Sequence, residues 1–272
     1  MLRVMTWNIK TGGRDRTGPG RLDRVARVVA AHRPDLLAAQ ELRGFDSGGV
    51  LAGFAAAVGM EPYLARSCFG QPVAVLARPP LRVVAAGPVR RPFHHAAVRV
   101  TVATDAGPLT VFGAHLDPYS GLRRRVEAGW LAGAVGRAPG AGRGALALLA
   151  GDLNTLAPGV DHTDRVARLP AAYRRRHLRR DGRTVETRAV ARLAAAGLVD
   201  LYAALAPADD EGPTAPTRHG GGAEFSGMRL DYLLGTPALA GLARSCVVVR
   251  GGDTEYASDH YPMLADLDLR PA

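Results

Sequence analysis

The hydrophobic residues of this chain recur in two alternating patterns from one end to the other. Short apolar runs bounded by Gly, Pro and polar residues are typical of buried β-strands. They predict nine strands, at residues 2–9, 35–40, 73–77, 96–103, 109–114, 146–150, 230–234, 246–249 and 262–267. Between some of these runs, apolar residues at helical spacing predict helices at 21–31, 122–135 and 187–196. The alternation predicts an α/β fold with many strands.

The predicted helix at 122–135 carries both apolar residues and several arginines. Its helical spacing gives an apolar face made of Leu122, Val126, Trp130 and Leu131. An amphipathic helix of this kind packs its apolar face on a sheet and turns its charged residues to solvent. We therefore expect the arginines of this helix to point away from the core.

Nothing in the sequence divides the chain into separate units. A length of 272 residues suits one or two domains of roughly 150 residues each, and neither an internal repeat nor a long Pro/Gly linker is present. The two least regular stretches, 158–181 and 207–227, are polar or rich in Gly and Pro and lie between core-like segments. We interpret both as loop insertions in a single domain that spans residues 1–272.

The charge of the chain has two interpretations. There are 35 Lys and Arg residues against 25 Asp and Glu residues, a formal net charge of +10. Lys10 is the only lysine, and the chain is rich in Ala, Gly and Pro, so high-GC codon usage explains part of the arginine excess. The alternative is a polyanionic partner. A hydrophobic content of 47% excludes wholesale disorder and provides a sizeable core.

Cysteine usage and hydropathy indicate where the protein works. Cys68 and Cys246 lack a metal-type spacing, so we expect two buried, unpaired thiols in a reducing compartment. The N-terminus has no basic segment followed by an apolar one, and no run of about 18 apolar residues occurs. We expect a cytoplasmic protein without a membrane span, monomeric and without an obligate protein partner.

Polar residues collect where several apolar strands end. Such strand ends commonly build a site, because the side chains released there meet at one edge of a sheet. Two further polar segments lie before the last strand and at the start of the strand at 230–234. Together the segments supply Asn8, Glu41, His115, Asp152, Asn154, Asp231, Asp259 and His260.

This inventory points to one kind of chemistry. Carboxylate and amide oxygens suit a hard cation such as Mg²⁺ or Mn²⁺, and a histidine beside a carboxylate serves as a general base or holds a phosphoryl oxygen. The sequence lacks a glycine-rich phosphate loop, a nucleophile elbow and a zinc-protease helix, which disfavours nucleotide-triphosphate motors and serine hydrolases. It therefore predicts metal-assisted hydrolysis of a phosphate ester.

In their order along the chain, these segments resemble the endonuclease/exonuclease/phosphatase superfamily of pancreatic-type deoxyribonucleases and exonuclease III-like repair enzymes. The matching pieces are Thr6-Trp7-Asn8, Gln40-Glu41, His115-Leu116-Asp117, Gly151-Asp152-Leu153-Asn154, Arg229-Leu230-Asp231-Tyr232 and Ser258-Asp259-His260. They cover residues 6–260. The resemblance implies a four-layer α/β sandwich, with two mixed β-sheets packed face to face, helices on the outside and the site at one edge.

The resemblance also implies roles for the oxygen-bearing residues. Glu41 corresponds to the principal metal ligand, with Asn8 and Asp259 nearby. Asp152 corresponds to the residue that orients or deprotonates the attacking water, and Asn154 to one that positions a phosphate oxygen or a water. The implied cofactor is Mg²⁺ or Mn²⁺.

Two histidines complete the implied site. His260 corresponds to a phosphate-contacting or general-base histidine oriented by Asp231. His115 corresponds to a second histidine that protonates the leaving oxygen or stabilises the transition state. Compact repair-type relatives often have a tyrosine near the position of His115, so this chain is more similar to the two-histidine branch. Which histidine–carboxylate pair supplies the base stays open.

Several basic and aromatic residues are candidates for substrate binding. Five arginines lie between Tyr173 and Arg180, close after the strand that ends at Asp152, and could follow a phosphate backbone. The alternative is a solvated charged surface. The individual candidates are Tyr119, Arg174, Arg175, Arg176 and Arg229.

The leading functional hypothesis is a metal-dependent phosphodiester hydrolase acting on DNA or RNA. The alternative is the same chemistry on a small or lipid-linked phosphate ester, as in inositol-phosphate phosphatases and sphingomyelinases of the superfamily. A non-catalytic nucleic-acid-binding module is less favoured, because every matched position retains the residue type that the chemistry needs. DNA or RNA preference and endo- or exonucleolytic mode stay open.

Overall fold

The structure is a computed structural model that describes residues 1–15, 20–140, 144–207 and 210–270. Its central feature is a pair of six-stranded β-sheets. The twelve strands of the described residues are β1 Leu2–Asn8, β2 Leu36–Gln40, β3 Glu61–Ala65, β4 Val73–Ala77, β5 Val83–Pro88, β6 Ala96–Thr104, β7 Gly107–His115, β8 Leu146–Asp152, β9 Val199–Asp200, β10 Asp231–Gly235, β11 Ala243–Val248 and β12 Met263–Leu267.

The two sheets repeat the same plan. The first has the order β11-β12-β1-β2-β4-β3, and the second has the order β5-β6-β7-β8-β10-β9. In each sheet one central pair is parallel, β1 with β2 and β7 with β8, while the neighbouring strands run antiparallel. The carboxyl ends of a parallel pair meet at one edge of the sheet, so each sheet has a place where two strand ends release side chains together.

Helices cover the outer face of each sheet. Those of the described residues are α1 Lys10–Gly13, α2 Leu22–His32, α3 Val50–Val58, α4 Gly121–Val135, α5 Thr163–Ala167, α6 Ala171–Arg174, a 3₁₀ turn Arg175–His177, α7 Arg188–Ala195, α8 Leu201–Leu205, α9 Pro237–Ala240 and α10 Thr254–Ala257. Buried residues of α2 and α3 pack with the first sheet, and those of α4 and α7 pack with the second.

Alternation along the strands divides the core into three apolar layers. In β1, Val4 joins the layer between the two sheets, whereas Met5 and Trp7 face the helices α2 and α3. In β8, Leu148 faces the other sheet and Leu149 faces α4 and α7. The period of two sends successive side chains to opposite faces, so every central strand is buried on both sides. The architecture is the four-layer α/β sandwich predicted from the sequence.

The nine predicted strands are all present, with ends that shift by up to three residues, whereas three further strands and the described helices other than α2, α4 and α7 escaped prediction. β3 and β5 are edge strands, and β5 is largely exposed, so neither shows a buried alternating pattern. β9 has only two residues. The sequence of α3 is apolar nearly all round, which leaves no helical periodicity to detect.

The predicted orientation of α4 is wrong. Leu122 and Val126 are exposed, while Arg124 and Glu127 are fully buried beside Leu131. The inward face is therefore partly charged, and it is rotated from the face that hydropathy alone selects. Both buried charges hydrogen-bond to loops at the site described below, which offsets the cost of removing them from water.

The remaining expectations concern cysteines and membranes. Cys246 is buried as expected, but Cys68 is exposed on the loop between β3 and β4, and both thiols are free. Among the described residues, no helix combines the length and the apolar character needed to cross a membrane.

The insertion predicted at 158–181 folds as α5, α6 and the 3₁₀ turn, whereas that at 207–227 lies partly outside the described residues.

Gly151 gives a direct test of how closely β7 and β8 approach each other. A Cβ at this position would lie 1.9 Å from the carbonyl oxygen of Ala114. We expect Gly151→Ala to lower the free energy of unfolding by about 3 kcal/mol, because backbone cannot move aside as a flexible side chain does. Gly53→Ala is the matched control, since Gly53 lies in α3 with open space around it, and should raise stability by about 0.5–1 kcal/mol. Equal effects in chemical denaturation would contradict this account.

Candidate active site

Strand register brings the predicted residues together at one edge of the sandwich. In the second sheet, His115 pairs with Asp152 across β7 and β8, and Asp152 pairs with Asp231 across β8 and β10. In the first sheet, Asn8 pairs with Gln40 at the end of β1 and β2. The ends of both parallel pairs lie at the same edge, where His115 and Asp152 line a polar cleft of about 580 Å³ and Asn8 and Asp231 are buried beside it.

The Asp152 carboxylate lies at the centre of this cleft. Its Oδ2 atom is 3.0 Å from Nδ2 of Asn8, 3.4 Å from Nε2 of His115 and 4.0 Å from Nε2 of His260. Burial raises the pKa of Asp152 to about 7, with a contribution from the charge of Asp231. A carboxylate with a pKa near neutrality can accept a proton from a bound water at physiological pH.

His260 and Asp231 form a buried pair beside Asp152. Nδ1 of His260 lies 2.7 Å from Oδ2 of Asp231, and both side chains are almost fully buried. Burial alone would lower the pKa of His260, but the charge and hydrogen bond of Asp231, aided by Asp152 and Asp259, raise it to about 10. His260 therefore carries a positive charge at neutral pH and presents Nε2–H toward Asp152.

Glu41 and Asn8 occupy the side of the cleft formed by the first sheet. Nδ2 of Asn8 donates to Oε1 of Glu41 at 3.1 Å, and Oε2 of Glu41 accepts from the backbone N–H of Thr11 at 2.8 Å. Oδ1 of Asn8 accepts from the backbone N–H of Lys10. The loop that follows β1 thus fixes both side chains.

Backbone strain is concentrated around the cleft. Lys10, Thr11, Glu41 and Asn154 all have φ between 49° and 58°, the left-handed region that side-chain-bearing residues rarely adopt. Among the described residues, the other non-glycine residue with positive φ is Arg33, which ends α2. Strain of this kind persists where the surrounding structure holds it and is typical of functional sites.

Asp259 lies in the cleft as predicted, but it already has a cationic partner. Its Oδ2 is 3.1 Å from Nζ of Lys10, which also donates to the carbonyl oxygen of Gly220. The sequence identified Lys10 only as the single lysine and gave it no role. Its left-handed backbone at the start of α1 turns the side chain toward the cleft.

Two histidines of the cleft were missed by sequence reasoning. His95 stacks on His115 with ring centroids 4.1 Å apart, and His94 lies edge-on to His95 at 4.6 Å. Burial lowers the pKa of His95 to about 4, and it also lowers the pKa of His115, with help from His95 and His260. Both rings are therefore neutral at pH 7, and Nδ1 of each lacks a hydrogen-bond partner among the described residues.

The positions of His94 and His95 follow from the sequence only when the pairing of β6 with β7 is known. The two residues precede β6, and Ala96 pairs with His115 where β7 ends. An antiparallel neighbour begins where its partner ends, so residues before β6 must reach the edge that His115 reaches. Nδ1 of His94 lies 3.1 Å from Oδ2 of Asp117, which anchors the pair to the loop after β7.

Of the remaining residues predicted from the sequence, some line the cleft and others lie elsewhere. Asn154 lines the cleft, donates its backbone N–H to Asp152 and its side-chain amide to the carbonyl of Leu116. Tyr119 and Arg176 also line the cleft, and the Arg176 guanidinium lies 5.1 Å above the Tyr119 ring.

Arg229 and Arg174, two of the predicted substrate-binding residues, have partners within the protein and do not line the cleft. The Arg229 guanidinium is buried, bonds Asp200 at 2.6 Å and lies between the rings of Tyr202 and Tyr232. The guanidinium of Arg174 donates to backbone carbonyls at the end of α5. Arg175 lines a neighbouring groove instead of the cleft.

The donor set of the cleft fits a hard divalent cation. The carboxylates of Glu41 and Asp152 both approach Nδ2 of Asn8, so two like charges face each other across a single amide. Oxygen donors of this kind suit Mg²⁺ or Mn²⁺. In the described part of the chain, Asp152, Asp231 and His260 also bring ligand atoms within 4.8 Å of one another, but the bond between Asp231 and His260 leaves that trio better suited to proton chemistry.

Comparisons with known proteins agree with this geometry. The model of the Endonuclease/Exonuclease/phosphatase family matches residues 5–260, so the chain belongs to that family. Enzymes of the family generally use divalent metals, and this chain is a metal-dependent hydrolase of phosphate esters. A comparison with curated protein sequences gives no match.

Solved structures share the fold over almost the whole chain. An AP endonuclease from Archaeoglobus fulgidus matches with a TM-score of 0.73 and 19% identity, covering 98% of this chain and 100% of its own. The 3′ phosphatase NExo from Neisseria, bound to a product DNA hairpin, matches at 0.68 and 18%, covering 98% and 100%. An endonuclease/exonuclease/phosphatase from Beutenbergia cavernae matches at 0.67 and 22%, covering 100% and 72%.

The charge state of His260 is testable by NMR titration of metal-free protein. We expect His260 to hold its proton up to a pH of about 10, and Asp231→Asn to lower this midpoint by removing the neighbouring charge. A histidine in the unfolded chain has a pKa of about 6.5. The raised pKa therefore stabilises the fold fully below that pH, and this contribution is lost as the pH rises toward 10.

The control is Asp266→Asn, which removes a carboxylate that pairs with Arg3 away from the cleft and should leave the His260 titration unchanged. A wild-type midpoint near 6.5, or one that Asp231→Asn does not lower, would show that the pair does not hold the charge.

Proposed function

We propose that the protein is a divalent-metal-dependent nuclease that cleaves phosphodiester bonds of DNA or RNA by in-line attack of an activated water. One observation carries the proposal. The Asp152 carboxylate, with its raised pKa, lies between the Glu41–Asn8 pair of the first sheet and the His260–Asp231 pair. That second pair joins the sheets, because His260 precedes β12 of the first sheet and Asp231 begins β10 of the second. A proton acceptor, a set of cation ligands and a positively charged hydrogen-bond donor thus converge on one point in the cleft.

Asp152 is the residue suited to activate water. Its pKa of about 7 lets it accept a proton near neutral pH. The backbone N–H of Asn154 bonds Oδ1 at 2.8 Å and the Asn8 amide bonds Oδ2 at 3.0 Å, so the carboxylate cannot rotate freely. Asn154 itself lines the cleft and would position the water or a phosphate oxygen.

The two histidines have different roles in this proposal. His260 is protonated at neutral pH, which suits a donor to a phosphoryl oxygen and disfavours a general base. His115 is neutral, so it donates a hydrogen bond to the charge that develops in the transition state. Asp231 fixes the tautomer of His260 through its bond to Nδ1.

Glu41, Asn8 and Asp259 would hold Mg²⁺ or Mn²⁺. The cation would supply positive charge against the phosphate and its developing negative charge. Glu41 is held in a left-handed backbone conformation, and its carboxylate is further bound by the Thr11 backbone and the Gln71 amide. The chain thus orients the main ligand before any ion binds.

A nucleic-acid substrate is supported by the rim of the cleft and by relatives. Lys10, Arg43 and Arg176 line the opening, and Phe69 and Tyr119 expose aromatic rings there. Cations and aromatic rings together bind phosphates and bases of single strands. One structural relative is described as bound to a product DNA hairpin.

Hydrolysis of a substrate panel tests the proposal. The panel consists of plasmid DNA, single-stranded DNA, RNA, duplex with an abasic site, and small and lipid-linked phosphate esters, each with Mg²⁺ or Mn²⁺. We expect polynucleotide cleavage, and we expect Asp152→Asn and His260→Ala to lower turnover by at least about 10²-fold. Glu41→Ala should strongly lower metal-dependent activity.

The control variant is Asp266→Asn, which changes a carboxylate outside the cleft and should retain wild-type rates. Full activity of both Asp152→Asn and His260→Ala would refute the site. Hydrolysis of small or lipid-linked esters alone would replace the nuclease with the phosphatase or lipid phosphodiesterase alternative. Strand binding without hydrolysis of any substrate would identify a non-catalytic module.

A further inference from the structure

A second groove opens beside the cleft, on the other side of Tyr119. It encloses about 620 Å³ and lies among the start of α4, the 3₁₀ turn Arg175–His177, the start of α7 and the turn at residues 178–185. The Tyr119 ring is 60% exposed and lines both cavities. The cleft and the groove therefore adjoin at this ring.

Arginine side chains set the character of this groove, which we call the arginine groove. The four that line it are Arg175, Arg179, Arg180 and Arg188. Arg188 is paired with Glu186. The guanidinium groups of the other three make no hydrogen bond or ion pair with any residue that the structure describes, and Nε of Arg179 is buried without a partner.

The two carboxylates of the arginine groove only partly offset the charge of its four arginines. Asp181 accepts from the backbone N–H groups of Arg183 and Thr184 and from the Thr184 hydroxyl. Glu186 is occupied by Arg188. These hydrogen bonds, with the charge of Arg179, lower the pKa of Asp181, so it stays ionised. Four arginines then face two carboxylates, and the excess of two positive charges favours binding of an external anion.

The arginine groove has a fixed position relative to the catalytic residues. Arg124 of α4 is fully buried and donates from Nη1 to the carbonyl of Asp117 and from Nη2 to the carbonyl of Arg176. Asp117 belongs to the loop that carries Tyr119, and Arg176 belongs to the turn that carries Arg175. One buried side chain thus joins the wall of the cleft to the wall of the arginine groove.

We propose that the arginine groove binds the backbone phosphates of nucleotides that flank the scissile bond in a single strand. This inference rests on the proposed nuclease function and specifies its substrate as a strand extending beyond the cleft. Guanidinium groups bind phosphates through paired N–H donors, and an exposed aromatic ring between two phosphate sites offers a stacking surface for a base. Tyr119, with Arg176 above its ring, stands at that position.

Strand binding and strand-length dependence test the arginine groove. The variant combines Arg175→Gln, Arg179→Gln and Arg180→Gln. Its matched control combines Arg82→Gln, Arg99→Gln and Arg137→Gln, which remove the same charge from arginines outside both cavities. Affinity for an oligonucleotide of about 20 nucleotides is measured against salt concentration in EDTA, and kcat/KM is measured with metal for that oligonucleotide and for a dinucleotide.

Loss of three phosphate contacts should make the slope of log affinity against log salt concentration shallower by about 2. It should also weaken binding roughly tenfold or more. The loss in kcat/KM should be larger for the oligonucleotide than for the dinucleotide, and the control variant should match the wild type. Circular dichroism establishes that each variant is folded.

Three results would overturn the arginine groove as a strand site. These are a salt slope equal to that of the wild type, an equal change in the control variant, and equal losses of kcat/KM on long and short substrates. Binding to anionic phospholipid vesicles that depends on the three arginines, without binding to the oligonucleotide, would assign the groove to a membrane instead. If the wild-type protein cleaves no polynucleotide, the proposed function itself fails, whereas cleavage with an unchanged slope refutes only the groove.

Discussion

The side-chain amide of Asn8 is the contact on which the rest of the site depends. It belongs to the first sheet, bonds Glu41 of the same sheet at 3.1 Å and reaches Asp152 of the second sheet at 3.0 Å. Neither sheet alone forms the proposed site. The second sheet supplies Asp152 and Asp231, whereas Asn8, Glu41 and His260 belong to the first sheet or to the loops beside its strands. Burial of this amide between two carboxylates, together with the apolar layer between the sheets, keeps the two halves in register.

A second set of polar contacts, supplied by α4, holds the walls of the cleft. Glu127 is fully buried and accepts from the backbone N–H groups of His94 and Asp117, while Arg124 donates to the carbonyls of Asp117 and Arg176. Burial lowers the pKa of Arg124 to about 10 and raises the pKa of Glu127, which is the cost of placing charges inside a helix–sheet interface. The buried charges of α4 lower the stability of the helix–sheet interface, and their hydrogen bonds fix the positions of the loops at the site.

Sequence patterns predicted the parts of the structure that depend on local periodicity and strand order. Because polar residues released at strand ends share an edge, Asp152 and Asp231 could be placed together before their register was known. His94 and His95 were missed because only the pairing of β6 with β7 brings them beside His115. The burial of Arg124 and Arg229 was missed for a related reason, since hydropathy assigns an arginine to solvent and does not register a buried partner.

The proposed mechanism requires residues of both sheets to act as a single catalytic unit. The most direct test is a double-mutant cycle in kcat/KM between Glu41→Ala in the first sheet and Asp152→Ala in the second. Residues that act as a unit are strongly non-additive, so the double variant should lose about as much as the more damaging single variant. Independent losses that multiply would contradict the claim and would separate the two sides of the cleft into unrelated sites.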